Sequence, residues 1–411
     1  MTRARYIETL VVSLLSCVTA VLAFNLVVDP FGLQIIRSPF TFYKPDIVSY
    51  DRPFKSFAVL RLKPRTVILG TSRTALGVDP AYAGFGAENA PVFNLALNGM
   101  TLAETRDALE CAADAGARRA IIGLDFYNFN IYHELAPSPE VFRCVHRRVE
   151  GLPDYLSLDA LEASAKAAAK TLTFLVRGGR LPDAPLFANG LENGPARFNS
   201  LIARVGQHEL FRMSERDYLA QGYRFYPAWT FSFRDPAGHS TFDIFKQALQ
   251  TARRRHMHVD LFLSPSHARD FETIRVAGLW NDFENWKRQV VEIVMEDNSR
   301  HPSDTPTTLW DFSDYNSLST ENLPAEGDVS TQMHWYWESA HFKTALGDLV
   351  LSRILGSTAG AAVPPDFGFA LNEGNVEEHL RVVRQGQARY HRTHPADVRE
   401  IEELARSIVR R

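Results

Sequence analysis

Cysteine is scarce in this chain, three residues in 411 at positions 17, 111 and 144, which excludes a domain built on a disulfide framework. Net charge is also nearly absent. The 45 basic and 48 acidic residues leave −3, so no global field draws the protein onto nucleic acid, and nucleic acid is excluded as a partner. A content of 45% hydrophobic and 23% charged residues rules out disordered or fibrous chains and allows a full α/β core with further elements. Metal-ligand spacing is missing too. His256 and His258 alternate on one strand face, but no Cys or carboxylate sits at useful spacing, so neither a metal nor another cofactor is expected.

One long apolar run is present, from Leu10 to Val28, near the ~20 residues that cross a bilayer as a helix. Arg3 and Arg5 precede it, which keeps that end cytoplasmic and puts everything after Asp29 on the far side, the periplasm in a Gram-negative cell. Val21-Leu22-Ala23 resembles a cleavage site and Leu14-Leu15-Ser16-Cys17 a poor lipoprotein box; the run continues to Val28, so an uncleaved single-pass anchor in membrane lipid is expected. Cys17 lies inside that run. One Cys111–Cys144 bridge is available, but free, buried small side chains are the expectation for both.

Beyond an irregular lead-in at 29–64, apolar strands alternate with amphipathic helices. Strands are expected at Thr66–Leu69, Val92–Leu97, Ala120–Phe126, Val259–Leu263 and Thr308–Phe312. Thr101 and Glu104 form a capping box that opens a helix to about Ala115. Further helices are expected at Leu158–Phe174, Phe242–Arg255, about Ala268–Met295 and His341–Leu355. This rhythm is that of a parallel sheet covered on both faces, occupying 65–355 with an insertion at about 128–242. A linker and charged tail follow at 356–411, with helices at about Val376–Tyr390 and Ala396–Val409, ending Arg410-Arg411.

Candidate chemistry gathers at the carboxyl ends of these strands, where open parallel sheets form their crevice. Ser72 follows strand one in Val67-Ile68-Leu69-Gly70-Thr71-Ser72-Arg73, Asn98 and Gly99 follow strand two, Asp125 and Asn128 close strand three, and His267 follows strand four. Asp311 and Asp314 end strand five, with Glu338 and His341 just beyond in Trp337-Glu338-Ser339-Ala340-His341-Phe342. A serine nucleophile needs an imidazole to take its proton and a carboxylate to fix the tautomer. Ser72, His341 and Glu338 supply all three, and the Ser72 and Gly99 amides are candidate oxyanion donors. His267 is a second base candidate or a surface helix cap, and Asp311 a rival orienting acid. Trp335, Tyr336 and Trp337 are sugar-stacking or core residues. Arg52, Lys55, Arg61, Lys63, Arg65 and Arg73 crowd the approach to the elbow and read as a solvated basic face.

The residues Gly70-Thr71-Ser72-Arg73, Asn94 to Gly99, and Glu338-Ser339-Ala340-His341 resemble the first, second and last blocks of the SGNH (GDSL-like) hydrolase and acyltransferase superfamily. The chain is most similar to its membrane-anchored, alginate-acetylation-like branch, which acts in exopolysaccharide O-acetylation. The resemblance implies a flavodoxin-like three-layer α/β fold with a parallel five-stranded sheet, a helical insertion, one N-terminal transmembrane helix and a helical tail. It implies an acyl-Ser72 intermediate, a polysaccharide or cell-envelope glycan substrate, and room for a membrane-bound acyltransferase partner. Three positions depart from the pattern. Asp125 stands where an oxyanion-donating asparagine is usual, and an ionised carboxylate cannot donate; Asn128 or Asn98 substitutes, Asp125 is protonated, or the hole is weaker. Arg73 replaces a small residue and either pairs with Asp125 or holds an anionic substrate. Glu338 replaces aspartate. Esterase, transferase and a catalytically inactive glycan-binding scaffold are the competing functions.

Overall fold

The structure is a computed structural model that describes residues 3–36, 38–136, 141–223 and 230–409. Its frame is a mixed six-stranded sheet of β1 (Thr66–Leu69), β2 (Val92–Asn94), β3 (Arg119–Leu124), β4 (His258–Leu263), β5 (Thr308–Asp311) and β6 (Phe369–Ala370). The order is β2-β1-β3-β4-β5-β6. The first five strands run parallel and β6 pairs antiparallel with β5. Successive side chains on a strand face opposite ways, and both sets are apolar here. Val67, Leu69, Ile122 and Leu261 enter one core, while Ile68, Ile121 and Phe262 enter the other, so both faces must be covered.

The chain opens with α1 (Arg3–Val28), one helix long and apolar enough to span a membrane, with a mean hydropathy of 2.4 in its most apolar stretch. The lead-in forms α2 (Asp51–Leu62), and α3 (Ser72–Gly77) follows β1 directly. After a single turn, α4 (Gly86–Asn89), the Thr101–Glu104 capping box starts α5 (Leu102–Asp114). Between β3 and β4 come α6 (Ile131–Glu134), α7 (Leu158–Val176), α8 (Gly194–Val205), α9 (Gln207–Asp217) and α10 (Thr241–Arg254). Then α11 (Ala268–Val276) and α12 (Trp280–Arg300) precede β5, and α13 (Thr344–Leu355) covers the second face. Helices α5, α10 and α12 supply Leu109, Leu249 and Val290 to the first core.

Seven features differ from the sequence reading. The sheet has a sixth strand, whose two residues are too short to show a period. The helix expected from Ala268 to Met295 breaks at Gly278, which sits at φ +80. His341 does not open a helix; α13 starts at Thr344, and Trp335–Lys343 folds back on itself through Trp337 N to His341 O (2.9 Å) and Lys343 N to Trp335 O (2.8 Å). Cys111 and Cys144 form a disulfide rather than remaining free, with Cα atoms 5.4 Å apart. The segment after 141 returns over α5, where Phe142 N donates to Glu104 Oε1 (3.0 Å), and no local pattern encodes that return. The basic face is solvated only in part: Lys63 and Arg65 are exposed, but Lys55 and Arg73 are buried and Arg52 is bound to Glu104 through two nitrogens (2.7 and 2.9 Å). The tail, finally, belongs to the core. In α14 (Val376–Thr393) Leu380, Val383 and Tyr390 join the first cluster, and α15 (Pro395–Val409) packs on α11 and α9. Arg410-Arg411 lie outside the described residues.

Candidate active site

The turn after β1 admits only glycine at position 70. Its φ is +142, and a Cβ there would lie 2.4 Å from Thr74 Oγ1 and 3.0 Å from Gly123 O. Thr71 caps α3 by accepting from Arg73 N (3.3 Å), which leaves Ser72 as the first helical residue, half-buried at the sheet's carboxyl edge. Ser72 Oγ lies 2.8 Å from His341 Nε2 across 269 positions of chain. On the other side of the ring, His341 Nδ1 contacts Glu338 Oε1.

The fold-back carrying Glu338 and His341 explains their arrangement. Its tip leaves two main-chain amides unsatisfied, and the Glu338 carboxylate takes both: Oε1 accepts from His341 N (2.9 Å) and Oε2 from Ala340 N (3.0 Å). Burial alone would push this carboxyl up. The His341 imidazole, the Ser214 hydroxyl and the Ala340 amide outweigh burial and hold it down at about 2. Glu338 is therefore ionised and bound to the imidazole through the edge away from Ser72.

Helices α8 and α9 brace this tip. Buried Gln207 donates from Nε2 to Tyr336 O (2.8 Å) and Trp337 O (3.0 Å), and its Oε1 accepts from Met333 N (2.7 Å). Trp337 is buried, stacks on Phe198 with centroids 5.3 Å apart, and is thus a packing residue. Trp335 is half-buried, edge-on to His334. Gln207, Ser214 and Phe198 escaped sequence reading because nothing within an amphipathic helix marks which polar residue will meet a distant carbonyl.

On the opposite flank, Gly99 sits at φ +60 in the turn after β2. Continued pairing with the elbow, Leu97 N to Gly70 O (3.0 Å), brings that turn beside Ser72. Among the described residues neither the Gly99 N–H nor the Ser72 N–H donates to another group. Asn98 and Asn128 are not free donors, which corrects the expectation for both. Asn98 Nδ2 is shared between Asp51 Oδ2 (3.4 Å) and Glu192 Oε2 (3.3 Å), while its main-chain N–H donates to Asp51 Oδ2 (2.8 Å) and its carbonyl accepts from Arg52 Nη1 (3.2 Å). Asn128 Nδ2 donates to Met100 O (2.7 Å), holding the Gly99 turn from behind. The turn is thus clamped by α2, a role for Asp51 and Arg52 that sequence reading missed.

Asp125 and Arg73 are internal to the elbow. Asp125 accepts the Thr71 hydroxyl and lies 3.8 Å from Arg73 Nε. Arg73 donates to Ser266 Oγ (2.6 Å) and Tyr218 OH (3.2 Å), and its Nη2 lies 3.2 Å from Asp270. Burial opposes its charge, yet Tyr218, Asp270 and Asp125 raise its pKa well above the ordinary value. With Nη1 and Nη2 hydrogen-bonded, Nε facing Asp125 without a hydrogen bond, and the side chain buried, Arg73 does not hold a substrate.

Two other candidates lie elsewhere. Asp311 accepts from Lys287 Nζ (2.7 Å), bonds His379 Nε2 (2.9 Å) and so latches α14 to the sheet; it is not an orienting acid for His341. His267 is a buried rather than surface cap: Nδ1 accepts from Arg269 N (3.3 Å), Nε2 donates to Glu321 O (2.7 Å), and burial lowers its pKa to about 4. Its main-chain N–H donates to Ser339 O (2.9 Å), tying α11 to the fold-back tip. A grouping of possible metal ligands among the described residues, Asp114, Cys144 and His146, contains a sulfur already consumed by the disulfide. Comparison of the chain with protein-family models and with curated proteins returns no match.

Proposed function

We propose that the protein is a membrane-anchored serine acyl-transfer enzyme of SGNH type. The observation that carries this is the 2.8 Å contact between Ser72 Oγ and His341 Nε2, with ionised Glu338 on Nδ1. The order of the five parallel strands, 2-1-3-4-5, agrees with a flavodoxin-like frame whose switch point lies between β1 and β3.

In the reaction, Ser72 Oγ attacks the carbonyl carbon of an acyl ester as His341 Nε2 takes its proton. Glu338 stabilises the imidazolium, and the Ser72 and Gly99 amides receive the oxyanion. Collapse expels the alcohol, protonated by His341, and leaves acyl-Ser72. Water or a sugar hydroxyl, deprotonated by the same imidazole, then takes the acyl group, giving esterase or O-acetyltransferase activity. The glycan substrate, an exopolysaccharide or cell-envelope polymer, rests on the resemblance. The Cys111–Cys144 disulfide supports an extracytoplasmic domain, and α1 supports a single-pass anchor in the inner membrane. Turnover of an activated acetyl ester by the full chain should vanish in Ser72→Ala and in His341→Ala, both folded. Retained turnover in both removes the proposal.

A second reading, an inactive glycan-binding scaffold, draws on Asp125, Asn98 and Asn128: with no side-chain amide free, the oxyanion site holds two main-chain donors only. Labelling of Ser72 by a fluorophosphonate separates the two, since an inactive scaffold leaves it unmodified.

A further inference from the structure

Helix α7 has two unlike surfaces. Ala160, Ala163, Ala167 and Thr171 are buried, the first two in the cluster that takes in Leu22 and Leu26 of α1. At its other end Leu172, Leu175 and Val176 are exposed, Val176 by 77%. Nearby in the lead-in, Ile36 and Phe40 are exposed as well, Phe40 by 64%. Large apolar side chains in water forgo roughly 25 cal/mol for each Å² left uncovered, so five of them on two segments that are fastened together call for an occupant.

The two segments are fastened to each other and to the end of α1. Tyr43 N donates to Thr171 Oγ1 (2.9 Å), and the Tyr43 ring meets Phe174 edge-on at 5.8 Å. Lys44 Nζ bonds Asp29 Oδ2 (3.0 Å), directly after α1, and Asn25 of α1 donates to Tyr155 O (2.8 Å) just before α7. The patch therefore adjoins the point where the apolar helix ends. Beside it stand Lys170, Arg177 and Arg180, exposed and without an ion pair among the described residues. An apolar surface edged by cations is the pattern of an element that lies in the headgroup layer.

We propose that the end of α7, with the Phe40 segment, rests in the headgroup layer of an anionic membrane, a second contact that holds the domain down on the bilayer that α1 crosses. This rests on reading α1 as membrane-spanning. The test uses the full chain with Cys17→Ser, its disulfide intact, in vesicles of phosphatidylcholine and phosphatidylglycerol. An environment-sensitive fluorophore is placed at Val176→Cys, and separately at Val12→Cys within α1. The proposal expects the probe at 176 to be quenched by doxyl-labelled lipid and protected from aqueous iodide, with quenching falling severalfold in Arg177→Gln/Arg180→Gln. A probe at 12 that escapes lipid quenching overturns the membrane-spanning reading itself. A quenched probe at 12 with a probe at 176 open to iodide overturns the headgroup contact alone. Protection at 176 from both quenchers, lost when protein is diluted into excess lipid, assigns the patch to a second copy and also overturns it. Unchanged quenching in the double Gln variant overturns the anionic-lipid specificity.

Discussion

Glu338→Gln is the most informative single change, because the carboxylate makes three contacts that an amide cannot all keep. Oε1 meets Nδ1 and His341 N, and Oε2 meets Ala340 N. If the amide nitrogen takes the Oε1 position, it confronts the His341 N–H and forces Nδ1 to accept. Nε2 is then protonated and cannot take the Ser72 proton, a loss of about 10⁴-fold in triads where the tautomer flips. If the nitrogen takes the Oε2 position, only the Ala340 contact is lost. Each orientation keeps two of the three contacts, but this one leaves the His341 N–H and Nδ1–H bonded and turns the amide toward the Ser339 hydroxyl, which can accept, so it prevails. What remains is the loss of charge beside the imidazolium. The imidazole, with the Ser214 and Ala340 hydrogen bonds, outweighs burial in holding this carboxyl down, and the neutral amide forfeits that coupling. The expected effect on kcat/KM is a drop of about 10²- to 10³-fold, smaller than tautomer reversal gives. Hydrolysis of an activated acetyl ester and the second-order rate of fluorophosphonate labelling should fall together, with far-ultraviolet circular dichroism unchanged. A folded variant within threefold of wild type in both rates refutes the triad.

Asp51→Asn should loosen the Gly99 turn, lowering kcat roughly tenfold and stability by about 1–3 kcal/mol, because Lys55 is buried beside it; calorimetry and ester kinetics check this. Cys111→Ser/Cys144→Ser should cost about 3–4 kcal/mol for a 33-residue loop, read from urea unfolding, while mass mapping of the parent finds one bridge and an alkylatable Cys17. Buried neutral His267, with its pKa lowered by burial to about 4, takes a proton more readily when unfolded. Stability should therefore fall as pH drops from about 6.5 to 4, and the slope of urea midpoint against pH should flatten in His267→Asn, which retains a capping oxygen. An equal slope in that variant refutes the assignment. Gly70→Ala should abolish soluble protein or cost more than about 2 kcal/mol, its methyl falling 2.4 Å from Thr74 Oγ1.

Much of the fold was legible because its periods are strong. Five apolar strands and their covering helices announce a parallel sheet, and the Thr101–Glu104 box marks its helix start to the residue. The elbow was legible through Gly70, and the Glu338–His341 spacing through a three-residue reach that a tight turn makes natural. What was not legible is long-range. Asn98 looks like a free amide until α2 supplies Asp51; Arg73 looks like a substrate hand until Asp270 and Ser266 arrive from the far side of β4. Cationic residues before the elbow read as solvated, since charge in sequence carries no information about which charges will be matched inside. Cys144 joins Cys111 only because the segment after 141 crosses back over α5.

The tail carries one last implication. Arg269, at 0% side-chain exposure, is shared between Glu215 of α9 (2.6 Å) and two acids of α15, Asp397 (3.3 Å) and Glu400 (2.8 Å). Glu215 directly follows Ser214, the residue that supports the Glu338 carboxylate. Clipping the chain after α14 would thus leave an interior guanidinium with one of its three acids, and the disturbance would arrive, one helix away, at the acid of the proposed triad. Helix α15 is a keystone of the proposed site although it lies outside the sheet and contributes no residue to it.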